Sequence, residues 1–464
     1  MTTPGPAAAV RPAVQFKLSE VIGALSYALD ITEGQPEGHA ARTCMLGMRL
    51  AREMQLPANS LSALFYGLLL KDLGCSSNAS KMCYLFGSDE RVAKRDVKTV
   101  DWSRLSRSIG YIARHVAPQG SIFRKAAKFA QVAIGGVRQA KELVALRCER
   151  GANIAKQLEL PDETAAAIRA LDEHWDGNGH PEGMAGDEIP LLARILCLAQ
   201  TAEVFIREHG LPAASEMALE RSGTWFDPNL VRIFIAMQDD TAFWQDFHEG
   251  DPRRRVAAFE PEDQVLSADE SFLDRIAHGF AQVIDAKSPW TFRHSEGVAA
   301  ISAGVAGVIG FDRHQVRTIQ RAALLHDVGK LGISNLILDK PGKLTPDEYT
   351  EMKKHPRYTY EILTRVSGFR ELANLAASHH ERLDGKGYYR GLSADQLSTP
   401  DRILAVADMY EALAARRPYR QDLTPDEVMD ILAKNAGTGI CPEVFAALKT
   451  WLAKSSFQPI KLAA

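Results

Sequence analysis

An all-α fold of two tandem, related helical halves follows from three features of this 464-residue sequence. Apolar residues recur three and four positions apart through most of the chain, as in Thr318–Leu325, Leu372–Ser378 and Ile403–Ala414, the spacing of amphipathic helices. Alternating Val/Ile/Thr segments are scarce, so an extensive sheet is not expected. Finally, two spacings between distinctive residues occur twice. His294 precedes Asp327 by 33 residues, as His39 precedes Asp72; Asp384 precedes Asp408 by 24, as Asp176 precedes Gln200.

Residues 1–14 are rich in Pro, Ala and Thr, carry no apolar core of signal-peptide length, and read as a disordered tail. The first half spans 15–240 and the second 269–457, with a short tail at 458–464. Local strings tie the halves together. Trp175-Asp176-Gly177-Asn178-Gly179-His180 matches Leu383-Asp384-Gly385-Lys386-Gly387-Tyr388, and Arg194-Ile195-Leu196 matches Arg402-Ile403-Leu404. Gly223-Thr224-Trp225-Phe226-Asp227-Pro228 likewise matches Gly437-Thr438-Gly439-Ile440-Cys441-Pro442. Between Asp72 and Asp176 lie 104 positions, against 57 between Asp327 and Asp384, so the first half carries an insertion of 47 residues within Cys75–Gln139. Residues 241–268, with Asp251-Pro252 and Arg253-Arg254-Arg255, are polar and read as a linker. In the second half, Thr345-Pro346-Asp347-Glu348 has the form of a helix start: a Thr N-cap, Pro in the first turn, and acids at the positive end of the dipole.

Bulk properties exclude several functions. The 55 basic and 58 acidic side chains leave a net charge of −3, which gives no support for coating nucleic acid. No run of eighteen apolar residues occurs, so no membrane span is expected. Six cysteines without a CxxC pair point to buried thiols in a reducing compartment, hence a cytoplasmic protein.

The chemistry concentrates in the second half. His326-Asp327-Val328-Gly329-Lys330 is followed by His355, His379-His380 and Asp408. Imidazole and carboxylate are the usual ligands of first-row metals, and this many in order are enough for two ions. On an ordinary helix adjacent side chains diverge by roughly 100°, so Asp327 could bridge two ions while His326 binds one. Lys330, a turn later, is placed to hold a phosphate oxygen or the leaving group. Two metals a few ångström apart clamp a phosphodiester and activate water for in-line attack.

These strings, with Lys340-Pro341-Gly342-Lys343-Leu344, Asp408-Met409-Tyr410-Glu411-Ala412-Leu413 and Arg417-Pro418-Tyr419-Arg420, resemble the HD-GYP domains. These form the cyclic-dinucleotide phosphodiesterase branch of the HD superfamily, and the resemblance covers about residues 270–455. It implies a helical domain with a binuclear centre, the two divalent ions being iron or manganese. His294, His326, Asp327 and Asp408 would hold one ion, and Asp327, His355, His379 and His380 the other. Asp327 and Lys330 would act at the phosphate, and Lys330, Glu411, Arg417 and Arg420 would contact the dinucleotide. Arginines suit that task because their forked donors match phosphate. The implied activity is hydrolysis of cyclic di-GMP to linear pGpG or GMP. Alternatives are the same chemistry on cyclic GMP-AMP, or a non-catalytic signalling scaffold. The family's Gly-Tyr-Pro is Gly387-Tyr388-Tyr389 here, in a loop read as a docking surface for a diguanylate cyclase or other signalling protein. Relatives that bind a third metal use a Glu where this chain has Trp290, so two ions are expected.

Aligned on the repeat, the first half resembles a degenerate HD-GYP domain. Lys71 stands for His326, Arg147 for His355, Leu171-Asp172 for His379-His380, Gln200 for Asp408 and Cys75 for Lys330. Only His39 and Asp72 survive of the ligand set. Positive charge at ligand positions opposes a cation, so this copy is expected not to be catalytic, but to be structural or regulatory or, alternatively, to bind a ligand such as a nucleotide without cleaving it.

Overall fold

The computed structural model describes residues 16–100, 105–118, 120–249, 251–260, 267–291, 293–366, 369–415 and 423–455. Both expected tails and the Arg417–Arg420 segment lie outside these.

The first copy contains α1 (Leu18–Thr32), α2 (His39–Glu53), α3 (Ala58–Leu70), α4 (Ala79–Phe86), α5 (Glu90–Val97), α6 (Leu105–His115), α7 (Ile122–Gln157), α8 (Asp162–Arg169), α9 (Leu191–Glu220), α10 (Pro228–Ala236), α11 (Thr241–His248) and α12 (Pro252–Val256). The second contains α13 (Glu270–Asp285), α14 (His294–Ile309), α15 (Arg313–Leu325), α16 (Asn335–Leu338), α17 (Pro346–Met352), α18 (His355–Leu363), α19 (Arg370–Ala376), α20 (Thr399–Ala414), α21 (Pro425–Asn435) and α22 (Pro442–Lys454). The only strands among the described residues, β1 (Phe16–Lys17) and β2 (Ser267–Ala268), pair antiparallel where each copy begins. The fold is all-α, as the helical periodicity predicts. None of the described helices is long and apolar enough to cross a membrane.

Capping chemistry sets several starts in the second half. Thr345, Ser398 and Thr424 each cap a helix reciprocally with an acid three residues on, and each is followed by Pro in the first turn. At the repeated helix start Asp227-Pro228 and Cys441-Pro442 the copies differ. Asp227 caps α10 through the Asn229 N–H, whereas Cys441 makes no cap on α22.

One apolar core runs through both copies, with α1 Leu25 and Leu29 in the same cluster as α15 Leu324 and α20 Leu404. The first helix of each copy crosses to the other. Ile31 of α1 meets Gly332, and Gly279 of α13 packs against Ile154 of α7 and against Leu158 just past its end. The insertion forms α4 to α6 and the start of α7, with a small core of its own around Met82, Phe86, Ala93, Tyr111 and Val116. The reading of 241–268 as a linker differs from the structure over its first part. Phe243, Trp244 and Phe247 are buried in the core from α11, and the Trp244 indole donates to the Met237 carbonyl at 2.8 Å. Three aromatic side chains gain more by burial than the surrounding polar residues suggest.

Candidate metal centre

The ligand residues come from five places in the second copy. The helix expected to carry His326 and Asp327 together ends at Leu325. His326 is its C-cap, and Val328–Gly332 tightens into a 3-10 turn. Gly329 makes this turn possible, because a Cβ there would sit 2.0 Å from the His355 carbonyl oxygen. The first copy repeats the contact, Gly74 lying where a Cβ would meet the Arg147 carbonyl oxygen at 1.8 Å, which pairs Arg147 with His355.

His294 opens α14 and His355 opens α18; His379 and His380 follow α19, and Asp408 lies within α20. Asp327 is central. Its Oδ2 lies 3.5 Å from His294 Nε2 and 3.3 Å from His326 Nε2, and its Oδ1 lies 3.4 Å from His355 Nε2 and 3.6 Å from His379 Nε2. Asp408 adds Oδ1 at 3.3 Å from His294 Nε2 and Oδ2 at 3.7 Å from His380 Nδ1. The structure thus brings together all seven residues expected at the metals. His380, whose side chain is 28% exposed, marks the open side, and the other six are nearly closed to solvent.

The backs of the rings fix which nitrogen faces inward. Nδ1 of His326, His355 and His379 lies 2.6–2.7 Å from the carbonyls of Ala323, Met352 and Ala376, and Nδ1 of His294 is bonded to Glu411. Such supports orient a ligand and raise its basicity. Burial, and then neighbouring positive charge, lowers His355 to about 3 and His380 to about 4, so these rings are neutral at pH 7 and present lone pairs. Burial alone would lower His326 and raise Asp327. The His326–Asp327 attraction reverses both, carrying His326 up to about 9 and holding Asp327 well below the usual carboxylate range. His294 Nε2, His326 Nε2 and Asp327 Oδ1 are buried without a hydrogen-bond partner. Buried polar atoms are normally satisfied. Three orphaned atoms converging from imidazole and carboxylate fit divalent cations between them, and each potential ligand trio keeps its donor atoms within 4.8 Å of one another.

Lys330 Nζ lies 2.5 Å from Asp327 Oδ2, and its side chain is 17% exposed, at the solvent-facing rim of the site. Glu411 is not at that rim. It is 3% exposed and faces the back of His294, which gives it a ligand-supporting position in place of the expected dinucleotide contact. The repeat carried the signal: Glu203 of the first copy holds His39 Nδ1 in the same way. Arg417 and Arg420 lie outside the described residues. Tyr388 meets His380 in a tilted ring contact with centroids 4.7 Å apart, and Tyr389 lies near Tyr360.

In the first copy the corresponding space is filled by protein. Lys71 Nζ donates to Asp72 Oδ2 and lies 3.1 Å from His39 Nε2. Lys98, from the end of α5, reaches to 3.7 Å from Asp72 Oδ1 and 3.5 Å from Glu33. Where the second copy sets His355 beside His380, the first pairs Arg147 with Asp172. Two ammonium groups thus face the two oxygens of Asp72, one on each side.

The HD domain family profile matches residues 137–230 and 279–444, parts of both copies. The 3'3'-cGAMP-specific phosphodiesterase 3 of Vibrio cholerae is 42% identical over 434 residues, 94% of each chain. A cyclic di-GMP phosphodiesterase of Thermotoga maritima is 38% identical over 180 residues, 38% of this chain and 49% of that protein. A crystal structure of a cyclic GMP-AMP specific phosphodiesterase of V. cholerae superposes with a TM-score of 0.64 at 37% identity, covering 95% of this chain and 98% of that one. With this likeness along its whole length, the chain belongs to the HD domain family, in its HD-GYP branch.

Proposed function

We propose that the second copy is a metal-dependent phosphodiesterase that opens 3'3'-cyclic GMP-AMP, with the first copy as its non-catalytic partner. The observation that carries the chemistry is the division of Asp327, one oxygen toward His294 and His326 and the other toward His355 and His379. In this reading His294, His326, Asp327 and Asp408 hold one divalent ion, and Asp327, His355, His379 and His380 the other. Iron and manganese suit the mixed imidazole and carboxylate set. Bound there, the ions supply Lewis-acid activation of the phosphodiester and of the attacking water. The chain's own residues do the rest. The carbonyls behind His326, His355 and His379 keep Nε2 aimed inward. Glu411 does the same for His294. Lys330 turns from Asp327 to a phosphate oxygen and offsets its charge as the bond to the leaving oxygen breaks.

The choice of base rests on the likeness to the cGAMP-specific protein, which extends over both copies, whereas the cyclic di-GMP relative matches only the length of one. That same relative favours cyclic di-GMP as the second reading. The test is turnover of the two dinucleotides by the full chain supplied with iron or manganese. A higher kcat/KM for 3'3'-cGAMP supports the reading, and a higher value for cyclic di-GMP overturns the choice of substrate.

A further inference from the structure

The mechanism leaves unused a buried carboxylate that belongs to the wrong copy. Glu90, the first residue of α5 in the insertion, is 0% exposed. Among the described residues, the carboxylate's hydrogen-bonding partners are all in the second copy. Lys287 Nζ donates to Oε1 at 3.2 Å, and Ser334 Oγ and the Asn335 N–H donate to Oε2 at 3.2 and 3.0 Å. Lys287 donates also to the Leu331 carbonyl at 3.0 Å, and Asn335 Nδ2 returns to the Lys287 carbonyl at 2.8 Å. Arg91, beside Glu90, donates to the Gly332 carbonyl.

These contacts hold two stretches of chain at once. Lys287 lies seven residues before His294. Leu331–Asn335 directly follows Lys330, whose N–H bonds the Asp327 carbonyl at 2.9 Å and whose carbonyl accepts from Ile333 at 3.0 Å. A shift of 331–335 is therefore transmitted to Lys330 and Asp327 through one tight turn. Burying a carboxylate is costly unless it is paired and bonded, and an apolar side chain would fill the space at lower cost. What the carboxylate adds is direction: three donors fixed at one point. The same helix grips the first copy further on. Lys94 donates to the Cys75 carbonyl, and Lys98 faces Asp72. One helix spans the metal-free site and the turn that carries Lys330.

We infer that Glu90 is a positioning residue for the second copy's active site, and that through α5 the first copy sets the place of Lys330. This rests on the phosphodiesterase reading above. The test uses the full chain, with Glu90→Gln, Glu90→Gln/Lys287→Met, and Glu37→Gln as a control. Glu37 makes a separate contact between the copies, with Arg365. The double variant removes the acid and the amine together, so no lone charge is buried and the fold is kept. On 3'3'-cGAMP its kcat is expected to fall about tenfold to a hundredfold, as for a reacting group displaced by an ångström. KM, metal content and melting temperature stay near those of the parent, and the control keeps its kcat. Hydrogen exchange at the Ile333 and Asn335 amides accelerates in Glu90→Gln. An unchanged kcat in the folded double variant, or a loss that follows metal content, overturns the positioning role. A parent that cleaves no cyclic dinucleotide defeats the functional reading alone. Exchange at Ile333 and Asn335 then decides the clamp by itself, and unaltered protection in Glu90→Gln overturns it.

Discussion

Replacing Lys71 by Met tests whether an ammonium group has taken the place of a metal in the first copy. Lys71, Asp72 and His39 are 1%, 2% and 0% exposed, so solvent does not soften the loss of the charge. Without the amine, the polar partners left to the Asp72 carboxylate among the described residues are Lys98 at 3.7 Å and the Cys75 thiol at 3.5 Å. Removing one partner of a buried ion pair costs about 3–5 kcal/mol, chiefly because the other charge is left behind. At about 2–4 °C per kcal/mol for a unit of 150–250 residues, the melting temperature falls by about 6–20 °C. The assay is thermal unfolding of the full chain at pH 7 by calorimetry, with metal analysis of the same samples. Lys71→Met/Asp72→Asn, which removes both charges, recovers most of the loss, and the metal bound per chain is the same in all three proteins. A Lys71→Met protein destabilised by less than about 1 kcal/mol, the range of an exposed ion pair, would refute the reasoning.

Glu411→Gln weakens metal affinity or activity by about 10–100-fold, as for other groups that support a ligand, while KM stays unchanged; a raised KM with metal content intact would instead give Glu411 a substrate contact. Gly329→Ala forces the turn off the His355 carbonyl and lowers both melting temperature and turnover, and a parent-like variant in calorimetry and kinetics would contradict the close approach. Burial alone would raise the Glu203 carboxyl, but His39 and Arg42 hold it down at about 2, below its ordinary 4.5. Because the folded value is depressed, its contribution is full above pH 4.5 and is lost as pH falls from there toward 2. Glu203→Gln accordingly flattens the fall in stability across that window, and an unchanged acid limb in denaturant titrations would count against it.

Much of the site was legible because metal ligands are restricted to few residue types and the repeat supplied an internal alignment. The repeat pairs Arg147 with His355, and the matching contacts of Gly74 and Gly329 give the physical reason for it. Other features were hidden by context. His326 and Asp327 look like consecutive helical residues, but the close approach of His355 ends the helix at Leu325. Residues 241–268 look polar as a whole stretch, although Phe243, Trp244 and Phe247 near its start lie on one face, the pattern of a packed helix. Glu411 sits beside the ligand Asp408 in sequence, and its direction depends on the packing of α14 against α20. Glu90 opens the short, strongly charged helix α5 and Lys98 caps its end, a segment that reads as surface. Their partners lie in the other copy or 26 to 65 residues away in their own, distances over which no local pattern speaks.

Metal content and 3'3'-cGAMP turnover, measured together on the full chain and on Asp327→Ala, test the central claim most directly. A binuclear centre confined to the second copy binds about two metal ions per chain, with turnover that disappears along with most of the metal in the variant. No bound metal after purification with iron or manganese supplied, or undiminished turnover in Asp327→Ala, would contradict it.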